Sequence, residues 1–134
     1  MRYILILLAA LWAMPAAASD APRAAAAADA ERIVKLDPIV LPTLRNGRAD
    51  RQVTLIILLE MANGKPRSIA TDAMPRLRDA YITELSSLLD YDWPGGAVLD
   101  LEFARRRLML QNERVLGQHV VDRVLFDTIR ERRV

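Results

Sequence analysis

The sequence predicts a small α+β domain, because two apolar strand-like segments precede two amphipathic helical segments. The strand-like segments run over residues 33–41 and 52–61, and polar turn residues bound them. The helical segments, 71–90 and 100–116, repeat apolar residues at spacings of three and four. Strands joined by a short turn pair antiparallel, so we expect a hairpin sheet packed against two helices.

The N-terminal segment has the three zones of a secretory signal peptide. Arg2 provides the basic start, an apolar run covers residues 4–13, and small residues follow Pro15. A helix that crosses a membrane needs roughly 20 predominantly apolar residues, and this run is shorter. We therefore expect residues 1–18 to be a cleaved signal peptide and the protein to be periplasmic.

The sequence offers two cleavage positions. The small residues Ala16 and Ala18 suit a cut before Ser19, and a cut before Asp20 is nearly as good. The alternative to cleavage is a protein that stays anchored in the inner membrane and faces the periplasm. Only that alternative would give the protein a membrane association.

The chain that remains has a nearly balanced charge and no cysteine. Loss of Arg2 leaves 18 basic side chains against 17 acidic ones, a net charge of +1. So small a net charge attracts neither nucleic acid nor an anionic membrane. A chain without cysteine has no disulfide, thiol nucleophile or thiolate metal site. We expect an alanine-rich linker over 19–32, flexible or loosely helical, and a single domain over 33–134.

Turn residues define the predicted hairpin. Pro38 cannot donate a ladder hydrogen bond, so the first strand should lie at an edge or be bulged near that residue. Asn46-Gly47 is a strong turn signal within a polar connector. The run from Gln52 to Met61 suits a strand buried on most of both faces, and Asn63-Gly64 ends it.

Capping residues define the two helices. Thr71 or Asp72 can cap the first helix, which places Pro75 in its first turn, where no intrahelical bond is lost. Asp100 can cap the second helix, and Gly117 can end it. The first helix should bury Met74, Leu77, Tyr81, Ile82, Leu85, Leu88 and Leu89. The second should bury Leu101, Ala104, Leu108, Met109, Val115 and Leu116, with Arg105 and Asn112 at the border and Phe103 and Leu110 opposite, where they could touch another neighbour.

The last segment, HVVDRVLFDTIRERRV, is ambiguous by pattern. Its apolar positions fit a helix face, whereas its β-branched and aromatic content fits a strand. Periodicity by itself favours the helix. Residues 120–131 therefore need information from outside the pattern.

Five segments within roughly residues 33–131 carry a family resemblance: IVKLDPIVLP, VTLIILLEM, MPRLRDAYITELSSL, RVLG and VVDRVLFDTI. In this order they resemble the periplasmic domain of the flagellar basal-body-associated FliL family. Pro75, Arg76, Leu77, Arg78 and Asp79, followed by Ala80, match the family's helix signature most closely. The family's strand opening, a leucine, any residue and a proline, is matched by Leu36-Asp37-Pro38.

The resemblance implies a stomatin-like fold in which the last segment is a strand that begins near Val120 and joins the hairpin's sheet. It also implies association with the flagellar stator and motor, and assembly of copies into rings. Family members usually keep an uncleaved transmembrane helix, and this chain has a signal-like segment instead. The alternative function is a soluble periplasmic binding or scaffold module of the same fold that is unrelated to motility.

The residue types favour a protein interaction function over catalysis. His119 is the single histidine, and Asp90, Asp92, Asp100 and Glu102 lack the spacing of a metal site. Ser86 and Ser87 lack a nucleophile elbow. We expect no enzyme activity, no metal and no cofactor.

The candidate partner surface consists of Arg106, Arg107 and Arg114, which could dock an acidic protein partner, while Arg105 lies at the border of the core. A solvated helix face is the alternative for these arginines.

Overall fold

The computed structural model describes residues 21–91 and 99–134. The predicted signal peptide and Asp92 lie outside these residues. The described elements are, in chain order, α1 (Ala21–Glu31), β1 (Ile33–Lys35), β2 (Ile39–Arg45), β3 (Arg48–Met61), α2 (Ser68–Asp72), α3 (Met74–Tyr91), α4 (Leu101–Leu116) and β4 (Val121–Arg133). The predicted α+β class is confirmed, with one antiparallel sheet packed against helices.

The sheet is organised around β3. Strands β1 and β2 lie end to end along one edge of β3, and β4 pairs with its other edge over nearly the whole length. Helix α3 packs near β2, and helix α4 packs against both α3 and β4. A single cluster of buried apolar side chains fills the space between one sheet face and these helices.

The first predicted strand is interrupted at Pro38, as the missing proline N–H suggested. Ile33–Lys35 and Ile39–Arg45 are separate strands on the same edge of β3, and residues 36–38 separate them. The Leu36 N–H donates to the Ile57 carbonyl at 2.9 Å, so the chain stays attached to the sheet across the break. Both predictions for this segment, an edge position and an irregularity at the proline, are confirmed.

The hairpin between β2 and β3 is tighter than predicted. Asn46 and Gly47 have φ values of 52° and 74°, which is the backbone of a type I′ two-residue turn. Because such a turn matches the strand twist, pairing continues to Arg45 and Arg48. The polar connector therefore belongs mostly to the strands, and β3 begins at Arg48 rather than at Gln52.

Strand β3 is buried unequally on its two faces. The core face holds Val53, Leu55, Ile57, Leu59 and Met61, all fully buried. Residues between them, such as Thr54, Ile56 and Leu58, are half-buried on the other face. Burial on most of both faces is therefore only partly correct.

The first predicted helix begins differently from the expectation. Thr71 and Asp72 belong to the short helix α2 and cap nothing, because α3 starts at Met74. A continuous helix would require an N–H from Pro75 and would clash with its ring, so the helix restarts with the proline in its first turn. The apolar stripe is confirmed, since Leu77, Tyr81, Leu85, Leu88 and Leu89 are buried and Met74 and Ile82 are partly buried.

Helix α4 has the predicted bounds and caps. The Asp100 carboxylate accepts hydrogen bonds from the N–H groups of Glu102 and Phe103, both at 3.0 Å. Gly117 follows the last turn with φ 101°. Leu101 is only half-buried, whereas Asn112 is as deeply buried as Ala104 and Leu108.

The last segment is strand β4, so the expectation drawn from the family resemblance is confirmed over the helical pattern. Its pairing with β3 is interrupted twice by one extra residue of β4. Glu60 pairs with Arg123 while Met61 pairs with Val121, which leaves Asp122 as the first extra residue, and Asp127 is the second. These two bulges bend an otherwise regular edge strand.

The alanine-rich segment is helical in the structure. Helix α1 covers Ala21–Glu31, and residues 23–31 are all exposed. Of the two predicted forms of this linker, the structure shows the helical one. Within residues 21–91 and 99–134, no helix is long and apolar enough to cross a membrane.

Candidate interaction surface

The three arginines of the predicted partner surface point in two directions. Positions 107 and 114 are seven residues apart and share one side of α4, whereas position 106 lies about 100° away around the helix. Arg107 faces α3, and Arg106 faces β4. The structure therefore does not bring Arg106 and Arg107 together, and their role in binding stays a prediction.

Arg107 is engaged inside the protein. Its Nε donates to Glu84 Oε1 of α3 at 2.5 Å, and the Gln111 amide donates to the other Glu84 oxygen at 2.8 Å. The Glu84 side chain is almost fully buried. The Arg107 guanidinium and the Gln111 amide compensate the cost of removing its charge from water. Arg107 thus holds α3 and α4 together, which leaves less of it available to a partner.

A buried polar pair lies deeper in the same helix junction. The Tyr81 hydroxyl donates to Asn112 Oδ1 at 2.5 Å, and both side chains are buried. Burial disfavours the phenolate and raises the pKa of Tyr81 well above its usual range. The sequence marked Asn112 as an intrusion on the apolar face, and Tyr81 is the partner that accounts for it.

Arg105 and Arg106 lie toward β4 and make aromatic contacts. The Arg105 guanidinium pairs with Glu102 and sits over the Phe126 ring at 5.9 Å. The Arg106 guanidinium sits over the Phe103 ring at 5.8 Å, and Arg106 makes no ion pair with any other described residue. The predicted border position of Arg105 agrees with its half-buried state.

An open groove of about 670 Å³ separates α4 from β4. Its helix wall is formed by Glu102, Arg105, Arg106, Met109 and Leu110, which recur at spacings of three and four and so share one face of α4. Its strand wall is formed by the four consecutive residues 122–125. Leu110 is 47% exposed within it, although it was expected to meet a neighbour.

The strand wall of the groove is the outer edge of β4. Successive strand side chains point to opposite faces of a sheet, so four consecutive residues can line one groove only along the strand's edge. In the described part of the chain, β4 pairs with β3 and with no other strand. Its outer backbone N–H and C=O groups are therefore not used in a ladder.

An ion-pair cluster fixes the start of β4. Glu60 lies on the sheet face away from the helices, where it forms ion pairs with Arg123 at 2.9 Å and with Arg32 at 3.1 Å. The Arg32 Nε also donates to the Met61 carbonyl at 3.0 Å. This cluster joins the residue that follows α1 to the β3–β4 pair.

The other candidate residues do not converge. His119 is exposed in the loop before β4 and has φ 58°, Asp90 is exposed at the end of α3, and Asp100 serves as the cap of α4. Ser86 and Ser87 are ordinary residues of α3. Among the described residues, no group of three or more acidic or histidine side chains could hold a metal ion.

Sequence reasoning missed the groove. Phe103 and Leu110 were flagged because they lie opposite the buried side of α4, and both are exposed. Nothing in the pattern connected them with residues 122–125, because that proximity depends on the packing of α4 beside β4. The one available signal was Leu110 itself, a leucine that the helical pattern places opposite the buried side of α4.

Comparisons with known proteins add no relative. No protein-family model matches the chain, and no curated protein sequence matches it. The likeness to the FliL family therefore rests on the sequence segments that carry it.

Proposed function

We propose that this chain is an exported, non-enzymatic interaction protein that resembles the periplasmic domain of the FliL family and works at the flagellar basal body or stator. The α4–β4 groove and the exposed residues around it are the observation that carries the interaction role. They combine apolar surface with an arginine that no described carboxylate neutralises. Such a surface suits a protein partner better than it suits catalysis.

The contact between the two signature segments supports the family part of the proposal. Arg78 of α3 donates to the carbonyls of Asp37 and Pro38, at 3.2 and 3.1 Å. Leu36 and Leu77 of the same segments are both buried in the core. The strand-opening motif and the helix motif thus form one structural unit, which gives a reason for their occurrence together.

The signal-like N-terminus supports a periplasmic location. We propose that the mature protein begins at Ser19 or Asp20 and that the exposed helix α1 is its N-terminal extension. The test is mass spectrometry of the protein from cell fractions of the organism that encodes it. A mature form in the periplasmic fraction supports the proposal, and a form that retains Met1 in the membrane fraction contradicts it.

The flagellar role has its own test. Deletion of the gene in a motile host should reduce swimming and the occupancy of stators at the motor, and the wild-type gene should restore both. A variant with Arg106→Glu should restore them less well than one with Arg48→Glu, because Arg48 is exposed at the hairpin turn, distant in sequence from the groove. Unchanged swimming and stator occupancy in the deletion strain would remove the flagellar role.

The second candidate is a periplasmic binding module unrelated to motility. The predicted signal peptide favours it, because a cleaved domain lacks the membrane helix by which FliL proteins usually stay beside the motor. It would keep the same interaction surface. A deletion strain with normal motility but an altered envelope would favour this candidate.

A further inference from the structure

We propose that the α4–β4 groove binds an extended, acidic peptide segment of a partner protein, which adds to β4 as a further strand. The inference rests on the proposed interaction function only in taking the partner to be a protein. It specifies the conformation and the charge of the bound segment. It does not depend on motility.

The backbone of β4 offers hydrogen-bonding groups to an added strand. Residues 122–125 line the groove along the outer edge of the strand, where ladder groups are unused in the described part of the chain. An extended peptide satisfies such groups with its own backbone, and this is the main source of affinity in strand addition. The regular stretch is bounded by the bulges at Asp122 and Asp127, which limits strong pairing to the part beside the groove.

Apolar side chains on both walls of the groove indicate which residues the bound segment should contain. Met109 and Leu110 of α4 face the groove opposite Val124 and Leu125 of β4. Alternate side chains of an added strand point to the same side, so every second residue of the peptide would point toward the α4 wall of the groove, where Leu110 lies. We therefore expect branched apolar residues at alternate positions of the bound segment.

The charged side chains of the groove indicate the charge of the bound segment. Three arginines line the groove, Arg105, Arg106 and Arg123, against the two carboxylates of Glu102 and Asp122. Arg105 is paired with Glu102, and Arg123 is paired with Glu60, so Arg106 is the cation left for a ligand. Beyond the groove the edge strand ends in Arg130, Glu131, Arg132 and Arg133, which adds more positive than negative charge. Acidic residues in the peptide complement this surface.

A second copy of the chain is a poorer occupant. The midpoint of β4 is Asp127, the extra residue of a bulge. A two-fold antiparallel pair of β4 strands centred there would place two irregular segments and two Asp127 carboxylates opposite each other. Like charges directly opposite one another destabilise a strand pair.

The test is selection of random peptides displayed on phage against the immobilised full-length protein. The expected consensus contains alternating branched apolar residues and aspartate or glutamate. A synthetic copy of the selected peptide is then compared with a copy that carries N-methyl groups at alternate backbone nitrogens. Fluorescence anisotropy should show that the methylated peptide binds at least about tenfold more weakly, because it cannot complete a ladder.

Matched variants locate the binding site. Leu110→Ser and Arg106→Glu should each weaken binding by about tenfold or more, as expected for central contacts of an interface. Leu44→Ser and Arg48→Glu are their controls, since Leu44 is 61% exposed in the hairpin and Arg48 is exposed at the hairpin turn without lining the groove. Both controls should bind within about twofold of the wild type. Circular dichroism verifies that all four variants are folded.

Any one of four outcomes would overturn the proposal. They are no enriched peptide, a consensus without acidic residues, equal binding of the methylated peptide, and equal binding by the Leu110→Ser variant. Specific peptide binding together with normal motility in the deletion strain would remove the flagellar role and leave the groove intact. Loss of motility in that strain, with no peptide enriched against the protein, would instead remove the groove and leave the flagellar role.

Discussion

The two edges of the sheet differ in how readily they could pair with a further strand. On one edge, Pro38 lies between β1 and β2 and Pro42 lies within β2. Arg78 of α3 donates to the carbonyls of Asp37 and Pro38 between the two strands. On the other edge β4 is a single strand without proline or glycine, and α4 stands beside it across a groove. Proline on an edge strand removes donors that a further strand would need.

This difference indicates a division of roles. The β1/β2 edge has fewer donors to offer a further strand and is fixed to a helix, so we infer that it contributes mainly to stability. The β4 edge keeps regular backbone groups between two bulges and charged residues at its end, which limits pairing without preventing it. We infer that the first edge holds the fold together and that the second meets the partner.

The largest expected effect separates buried from exposed leucines on the two helices. Leu77 of α3 is fully buried in the core, so Leu77→Ala should lower the free energy of unfolding by about 2–5 kcal/mol. Leu110→Ala, in the groove, should change it by about 0.5 kcal/mol or less. Urea denaturation measures both, and similar losses for the two variants would contradict the comparison.

The polar pair between the helices should come next. Asn112→Ala leaves the buried Tyr81 hydroxyl without an acceptor and should cost about 1–3 kcal/mol. The double variant Tyr81→Phe with Asn112→Ala should cost less than the sum of the two single variants, because the two groups depend on each other. Strict additivity in urea denaturation would show that the hydrogen bond contributes nothing.

Alkaline pH should test the same pair. The pKa of Tyr81 is raised in the folded state by burial, so the folded protein holds this proton above pH 10, where the unfolded chain releases it. The contribution to stability is full below about pH 10 and is lost above it, by up to about 1.4 kcal/mol per pH unit. Denaturation at a series of pH values should show this decline, and Tyr81→Phe should remove it.

The contact at the strand break should have a smaller effect. Arg78→Ala removes two hydrogen bonds to the carbonyls of Asp37 and Pro38 and should cost about 1 kcal/mol, since the site is exposed to solvent. Arg78→Lys should recover only part of this, because an ammonium group lacks the planar fork. The neighbouring exposed Arg76 is the matched control, and Arg76→Ala should stay within about 0.5 kcal/mol of wild type. Equal losses at the two positions would show that the contact at the break is unimportant.

Features set by neighbouring residues could be predicted from the sequence. The cap at Asp100, the end of α4 at Gly117 and the turn at Asn46-Gly47 each depend on a few adjacent residues. The apolar stripe of α3 was correct for a similar reason, because its spacing alone defines the buried face. The break between α2 and α3 was missed, although Pro75 was its local cause.

Strand β4 shows why pattern reading failed at the last segment. The bulges at Asp122 and Asp127 each add a residue, so the core-facing positions Val121, Val124, Phe126 and Ile129 are separated by three, two and three residues. These spacings resemble a helix more than a regular strand. Register with β3 produces the bulges, and register is a property of the assembled sheet.

The candidate site was predictable only in part. Composition identified the arginines of α4, but the direction of each depends on where α3 and β4 pack. Arg107, which was expected on a partner surface, binds the buried Glu84, an ion pair that no single-helix pattern contains. The groove likewise exists only once α4 lies beside β4.

Hydrogen exchange tests the difference between the two edges most directly. Backbone amide exchange of the full chain is measured by NMR with and without the selected acidic peptide. The account predicts that the peptide slows exchange at outward-pointing amides within residues 122–126 and leaves residues 39–45 unchanged. Protection along 39–45, or unchanged exchange at 122–126 when the peptide is bound, would contradict it.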